Sequence, residues 1–303
     1  MTYPIFLTRD QLLQYPGNER PMILSNGKER YFCPLHGSDR QRSFQLNPET
    51  GHFKCFACGR WGYLKDQSPP IGRPSFRSRA PSPYRPSQLD RILKQMQVRV
   101  RPGSAPARYL AERGIPLSLA QRFRVGYAPN GAWPHWKNGR PVRQWHEGRI
   151  VFPHLNPSGD VINLYGRAIG HSVPKHLRHA NLPGPKGVFN APALRQPSVF
   201  ICEGVFDALS LLAAGYTNAC ALFGTYGLPW DWVEARTVVL CLDPDGGQKA
   251  AMALAEEARR HGKEVLFLRP KAYGGYADLN DMWVRTRTLR ITPEDVQSFS
   301  GIK

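Results

Sequence analysis

Residues 199–245 read VFICEGVFDALSLLAAGYTNACALFGTYGLPWDWVEARTVVLCLDPD, and this stretch decides the fold. An apolar run, Val199-Phe200-Ile201-Cys202, delivers Glu203 and Gly204, and a second run, 237–242, delivers Asp243 and Asp245 around Pro244. Short runs rich in Val, Ile and Leu, separated by helical spacing, are those of parallel strands buried on both faces. Ligands of such sheets sit at the carboxyl ends of the strands. Three carboxylates therefore reach one edge. So close together they repel unless a cation joins them, and a few hard oxygen ligands suit a Mg2+ ion that also grips phosphates.

Outward from this stretch, residues 196–285 alternate strand and helix: 199–202, a helix over 206–214, 219–223, 237–242, a helix over 248–261, and 264–268. That is the pattern of an open parallel α/β sheet. Asp207 lies four residues after Glu203, in the first turn of its helix, and can turn toward the same edge. Asp278-Leu279-Asn280-Asp281 supplies a last acidic element. For Asp207, Asp278 and Asp281 helix capping is the competing role.

The chain has 303 residues, 41% of them hydrophobic, enough for two or three modest domains with real cores. Its net charge of +18 is unevenly spread: residues 1–195 hold 30 Lys and Arg against 10 Asp and Glu, whereas 196–303 hold 11 against 13. A basic body beside an acidic edge suits a polyanion held by one part and phosphate chemistry at another. No apolar segment approaches the length of a bilayer span, which excludes a helical membrane protein, and residues 1–10 lack a secretory signal, so the expected location is cytoplasmic.

Of six cysteines, Cys202, Cys220 and Cys241 lie inside apolar runs and read as small core residues. The other three form a pattern: Cys33-Pro34-Leu35-His36, eighteen residues, then Cys55-Phe56-Ala57-Cys58. Two close ligand pairs separated by a hairpin's worth of chain can close a tetrahedral zinc site, and four protein ligands make that zinc structural. Between the pairs, Asn47-Pro48-Glu49-Thr50-Gly51 is a turn joining two strand-like runs. Arg40, Arg42 and Phe44 there offer phosphate contacts and a stacking face for unpaired bases, while Phe53 covers the zinc site. Residues 67–107 hold eight prolines and eight Lys or Arg with Asp90 the only acid, and read as a linker with a short helix near 89–97. Helical spacing returns from Ala107, followed by strand-like runs at 125–127, 148–153 and 161–167.

Three groups of these residues resemble the bacterial DnaG-type primases. Cys33-x-x-His36, the Arg-rich segment ending in Ser43-Phe44, the Asn47-Pro48 turn, and Phe53-Lys54-Cys55-Phe56-x-Cys58-Gly59 with Gly62 resemble that family's zinc ribbon, which takes part in template binding and start-site choice. R-Y-L-x-x-R-G at 108–114, G-R-I-V-F-P at 148–153, Gly166-Arg167 and Pro174-Lys175 resemble the N-terminal part of its polymerase core. By that resemblance Arg149, Arg167 and Lys175 face the template or the nucleoside triphosphate. Glu203-Gly204-x-x-Asp207, Gly224-Thr225 and Asp243-x-Asp245 with Gly247 resemble the Toprim domain shared by these primases, topoisomerases and some nucleases.

The resemblance implies a multidomain α+β chain: a zinc ribbon (1–66), a Pro/Arg-rich linker (67–106), a basic α+β subdomain (107–195), an α/β Toprim domain with a parallel sheet (196–285) and a tail (286–303). It implies one structural Zn2+. It also implies Mg2+ or Mn2+ held by Glu203, Asp207, Asp243, Asp245, Asp278 and Asp281, with Glu203, Asp243 and Asp245 catalytic. The family shows two acids two apart at the last element, whereas Asn280 stands two after Asp278 here. The implied activity is RNA primer synthesis on single-stranded DNA from ribonucleoside triphosphates by two-metal nucleotidyl transfer. The 18 residues after Arg285 cannot supply the helical and helicase-binding parts of full-length relatives. A compact primase of the phage, plasmid or mobile-element sort is expected, with any helicase on another chain. Two rival readings are a Toprim nuclease or topoisomerase-like enzyme and a non-catalytic zinc-containing single-stranded DNA-binding protein. A topoisomerase needs a tyrosine nucleophile on a further domain, and intact Glu203, Asp243 and Asp245 argue against a scaffold.

Overall fold

The strand-like runs on either side of residues 47–51 pair antiparallel, as that composition predicts, Phe44 with Cys55 and Leu46 with Phe53. The structure, a computed structural model, describes residues 5–299 except 26, 38, 49–50, 65–81, 134, 138–139, 143–147, 171–172, 174–176, 225–227 and 243–247. The chain divides into two units, Met1–Arg73 and Pro74–Lys303.

In the first unit, β1 (Ile5–Leu7), α1 (Arg9–Leu13), β2 (Met22–Ile23), β3 (Glu29–Tyr31), β4 (Phe44–Leu46), β5 (His52–Cys55) and β6 (Trp61–Leu64) build a six-stranded sheet ordered β1-β6-β5-β4-β3-β2. Thr8 and Gln11 start α1 with reciprocal side-chain to backbone bonds of 3.1 and 2.9 Å. One sheet face buries Tyr31, Phe44, Leu46, Phe53 and Leu64 with Leu12, Cys33 and Cys55. That is a small core for such a sheet.

The second unit opens with α2 (Pro86–Gln97), α3 (Ala105–Glu112) and α4 (Leu117–Arg122), then β7 (Gly126–Ala128) and the short pair β8 (His135–Lys137) and β9 (Arg140–Val142). β10 (Arg149–Leu155), β11 (Val161–Ala168) and β12 (His179–Asn181) complete an antiparallel sheet ordered β12-β11-β10-β7. Next come β13 (Ser198–Cys202), α5 (Val205–Ala213), β14 (Ala219–Ala221), β15 (Thr237–Cys241), α6 (Gln248–Arg260), β16 (Glu264–Leu268), α7 (Leu279–Thr286) and β17 (Val296–Ser298). They form the expected parallel sheet, ordered β14-β13-β15-β16-β17.

Alternation along its strands sorts the helices. Val199, Ile201, Val238 and Leu240 pack in one apolar cluster with Leu254 and Ala258 of α6, and Cys202, Val239 and Cys241 in another with Leu209 of α5 and Leu279 of α7. Cys202, Cys220 and Cys241 are buried free thiols, as their apolar surroundings predict.

Two expectations need correction. The stretch expected as a linker with a short helix near 89–97 does contain that helix, α2, but its Leu89, Leu93 and Met96 are buried in the core cluster that includes Val151 and Leu164 rather than lying in a spacer. The i, i+4, i+7 spacing of these three residues makes an amphipathic helix; the surrounding prolines and arginines obscured that its stripe is core. The residues expected as a tail supply β17, an antiparallel edge strand on β16 that packs Phe299 against Phe267. Replacing Leu93 by Ala should therefore destabilise the chain by about 2–5 kcal/mol, read as an earlier urea transition, whereas a residue in a passive spacer would leave the transition in place.

Candidate functional site

The first unit gathers four metal-type donors. Cys33 follows β3, His36 lies in the turn after it, Cys55 ends β5 and Cys58 lies in the turn beyond, and their ligand atoms all fall within 4.8 Å of one another. Each pair forms a knuckle in which a backbone N–H points at the first sulfur: Leu35 at Cys33 and Cys58 at Cys55, both at 3.4 Å. Burial pushes the Cys33 thiol up to about 12. For Cys55 the opposing burial is outweighed by Ser43 and by the N–H groups of Cys58 and Ala57, which pull its thiol down to about 6. His36 Nε2 is buried with no hydrogen-bond partner. Orphaned nitrogens of this kind are costly unless something ligates them. Three thiols with one such imidazole fit a tetrahedral zinc ion with no open position.

Asp39, unremarked in the sequence, organises this cluster. Its carboxylate accepts from the N–H of Cys33 at 2.9 Å, of Gln41 at 3.0 Å and of Ser43 at 2.7 Å, and from the Ser43 hydroxyl at 2.6 Å. Burial opposes its charge, yet these bonds hold its carboxyl below the usual carboxylate range. Ser43 Oγ in turn sits 3.2 Å from Cys55 Sγ. Such outer partners fix ligand orientation.

The nucleic-acid residues expected here are partly misplaced. Phe44 is fully buried and stacks on Phe53 at 4.5 Å, so it offers no face to a base. Arg42 donates to the carbonyls of Arg20, Arg30 and Gly17 at 2.8, 3.4 and 3.2 Å and lies over Phe32, which makes it a clamp on its own loop. Arg40 is exposed as expected. The register shows what the opposite face carries instead: Arg30, Gln45, Lys54 and Trp61 are consecutive cross-strand partners, with His52 paired to Tyr63 beside them. Phe56, 58% exposed, has the charged ends of Arg30 and Lys54 each 5.8 Å from its ring. Parity could have found this face, because a ligand at Cys55 commits Lys54 to the other side.

In the second unit Cys202 and Cys241, the last residues of β13 and β15, are register partners, so the two strands end level. Asp243 and Asp245 lie outside the described residues, as does Lys175. Glu203 is half-buried, and its carbonyl accepts the N–H of Gly224 at 3.1 Å. Asp207 is 8% exposed. Its Oδ1 accepts the N–H of Asn280 at 3.0 Å, and its Oδ2 approaches Gly204 so closely that a Cβ there would lie 2.6 Å away. Asp278 caps α7 by accepting the N–H of Asp281 at 2.6 Å, and Asp281 pairs with Arg285 at 3.5 Å. Consecutive N–H groups of one helical turn thus hold Asp207 and Asp278 together.

Arg149, expected to face template or nucleotide, is instead 1% exposed and donates to the carbonyls of Gly166, Arg178 and Leu177 at 3.1, 3.1 and 2.6 Å. It fastens β10 to β11 and to the residues before β12. Arg167 remains half-buried, 5.3 Å from the Phe206 ring, and Arg113, absent from the sequence-based set, lies 5.1 Å from the same ring. His154, also unanticipated, is fully buried between Asn181 and Gly187 and stacks at 3.9 Å on Phe223, the residue before Gly224.

Residues 198–288 match the Toprim domain family. A DNA primase of Geobacillus stearothermophilus is 27% identical over 77% of this chain and 49% of that protein. Among solved structures, the Aquifex aeolicus primase (zinc-binding and RNA polymerase domains) superposes with a TM-score of 0.53 at 21% identity, covering 88% of this chain and 77% of that one. A DnaG primase catalytic domain bound to single-stranded DNA superposes with a TM-score of 0.53 at 22% identity, over 66% of this chain and 74% of that one. Residues 198–288 thus carry a sheet of the Toprim type. The chain is similar to bacterial DNA primases, and it spans about half the length of the curated relatives it matches. Among the described residues no helix is long and apolar enough to cross a membrane.

Metal analysis should find one tightly held zinc per chain, lost in Cys55→Ser; Asp39→Asn should keep the stoichiometry but release zinc to a chelator about tenfold faster. A second expectation concerns pH. Burial lowers His154 from 6.5 to about 4. A neutral buried imidazole contributes stability above its unfolded value that is lost as pH falls from about 6.5 toward 4, about 3 kcal/mol in all. Urea midpoints measured across that window should fall more steeply for the natural chain than for His154→Gln.

Proposed function

We propose that this chain synthesises short RNA primers on single-stranded DNA. The observation that carries the reading is the pairing of Cys202 with Cys241 in a Toprim-type sheet, since in sequence Glu203 follows the first of these residues directly and Asp243 and Asp245 come two and four residues after the second. Zinc-type donors and an antiparallel basic sheet in the same chain support primer synthesis over the nuclease and scaffold readings.

In this reading Glu203, Asp207, Asp243, Asp245, Asp278 and Asp281 hold Mg2+ or Mn2+, with Glu203, Asp243 and Asp245 central. The bound ions lower the charge of the triphosphate and stabilise the attacking and leaving oxygens. The 3′-hydroxyl of one ribonucleotide loses its proton and bonds to the α-phosphorus of the next, and pyrophosphate departs. Arg167 and Lys175 compensate the phosphate charge. Residues 1–66 serve as the template-binding ribbon, with Arg40 and the face of Arg30, Lys54, Phe56 and Trp61 contacting single-stranded DNA by ion pairing and stacking. Residues 107–195 and 196–285 form the synthetic core, and a helicase on a separate chain is the expected replication partner.

Incubation with single-stranded DNA, ribonucleoside triphosphates and Mg2+ or Mn2+ should yield short RNA. Asp243→Ala combined with Asp245→Ala should abolish synthesis while single-stranded DNA affinity stays within about twofold; cleavage of the DNA without synthesis would favour the nuclease. Trp61→Ala should weaken single-stranded DNA binding by about 1–3 kcal/mol, measured by fluorescence anisotropy, whereas Phe44→Leu should leave that affinity unchanged.

A further inference from the structure

Asn280 stands two residues after Asp278, and its surroundings give it a purpose. Asn280 is 1% exposed. Its Nδ2 donates to the carbonyl of Arg113 at 2.9 Å and to Ser210 Oγ at 3.0 Å, while its Oδ1 accepts from Arg113 Nη1 at 3.0 Å. Ser210 passes its own proton to the carbonyl of Phe206 at 2.8 Å. The backbone N–H of Asn280 is the group that meets Asp207 Oδ1. One side chain thus joins three elements: the end of α3, the inner face of α5 and the first turn of α7.

The join is reinforced along α7. Trp283, three residues after Asn280, donates its indole N–H to the carbonyl of Gly114 at 2.8 Å. Gly114 has φ +72, and a Cβ there would lie 2.1 Å from Arg287 Nη1 and 2.9 Å from Trp283, so only glycine lets the corner after α3 sit against this face of α7. A carboxylate at 280 could not donate to Arg113 or Ser210, and it would set a second negative charge beside Asp207 in a buried place.

We propose that Asn280 and Arg113 are positioning residues that fix the carboxylate of Asp207 for the divalent-cation edge. This rests on the reading of that edge as a metal site, but not on primer synthesis. Asn280 acts through the first turn of α7, whose N–H holds one oxygen of Asp207 while Gly204 admits the other. Arg113 acts by donating to Asn280 Oδ1 and accepting from Asn280 Nδ2, and so ties the end of α3 to the start of α7.

The test is Mn2+ binding to the full-length chain, followed by paramagnetic resonance without template or nucleotide, on zinc-replete protein. By charge count alone, Asn280→Asp adds a carboxylate and should tighten Mn2+. The proposal expects the reverse, a weakening of about tenfold, as when outer partners of metal ligands are lost. Asn280→Ala should weaken Mn2+ similarly, and Arg113→Lys, which keeps the charge and the backbone acceptor, by a smaller factor. Single-stranded DNA affinity should stay unchanged in Arg113→Lys if the effect runs through the edge. Should Asn280→Asp fail to fold, Arg113→Lys carries the same expectation. Unchanged or tighter Mn2+ binding in folded Asn280→Asp or Arg113→Lys overturns the proposal, and so does a natural chain that takes up no Mn2+. Mn2+ binding that behaves as expected in a chain that makes no RNA would leave the positioning intact and sink the primase reading instead.

Discussion

Mutual repulsion among carboxylates is the constraint to which the second unit answers. Strands β13 and β15 run parallel and end level, and the helices beside them bring the carboxylates of Asp207 and Asp278 to neighbouring N–H groups. The cost is offset locally by dipoles: two carboxylates, those of Asp207 and Asp278, accept consecutive N–H groups at the start of α7. Burying helices on both faces of the sheet keeps that geometry rigid, because the strand ends can shift only if two apolar clusters repack.

The basic part of the chain obeys a different economy of hydrogen bonds. Strand β10 is buried along its whole length, and the segment before β12 bunches the carbonyls of Leu177 and Arg178 beside that of Gly166, the Arg178 carbonyl also accepting the N–H of Ala168. Arg149 satisfies them, just as Arg42 satisfies the loop carbonyls of the first unit. A guanidinium has five donors in a fixed fork, which suits bunched carbonyls as well as it suits phosphates. Positive charge therefore records both purposes at once.

That double use explains how far the sequence could be read. The parallel sheet was legible because strands buried on both faces must be continuously apolar, and the four zinc-type ligands because tetrahedral geometry demands short paired spacings. Roles of single arginines and aromatics were not. Phe44 and Lys54 lie in adjacent strands of one sheet, and only the register, anchored by the inward Cys55, says which faces water. Asn280 was visible as a departure from the pattern, but its partners Arg113 and Ser210 lie far away in the chain, where no local spacing could find them. Helix α2 was legible as a short helix near 89–97 because its apolar stripe is local, but the prolines around it argue for an open chain and hid that the stripe packs into the core.

Among the described residues, the apolar core of the first unit contains eight fully buried residues, two of them cysteines of the donor cluster. With so little apolar surface, a metal that binds only the assembled site would stabilise the fold by mass action. Free zinc concentration would then be a thermodynamic variable of the sheet itself, and the face carrying Lys54 and Trp61 would last only as long as the donor cluster behind it stays assembled.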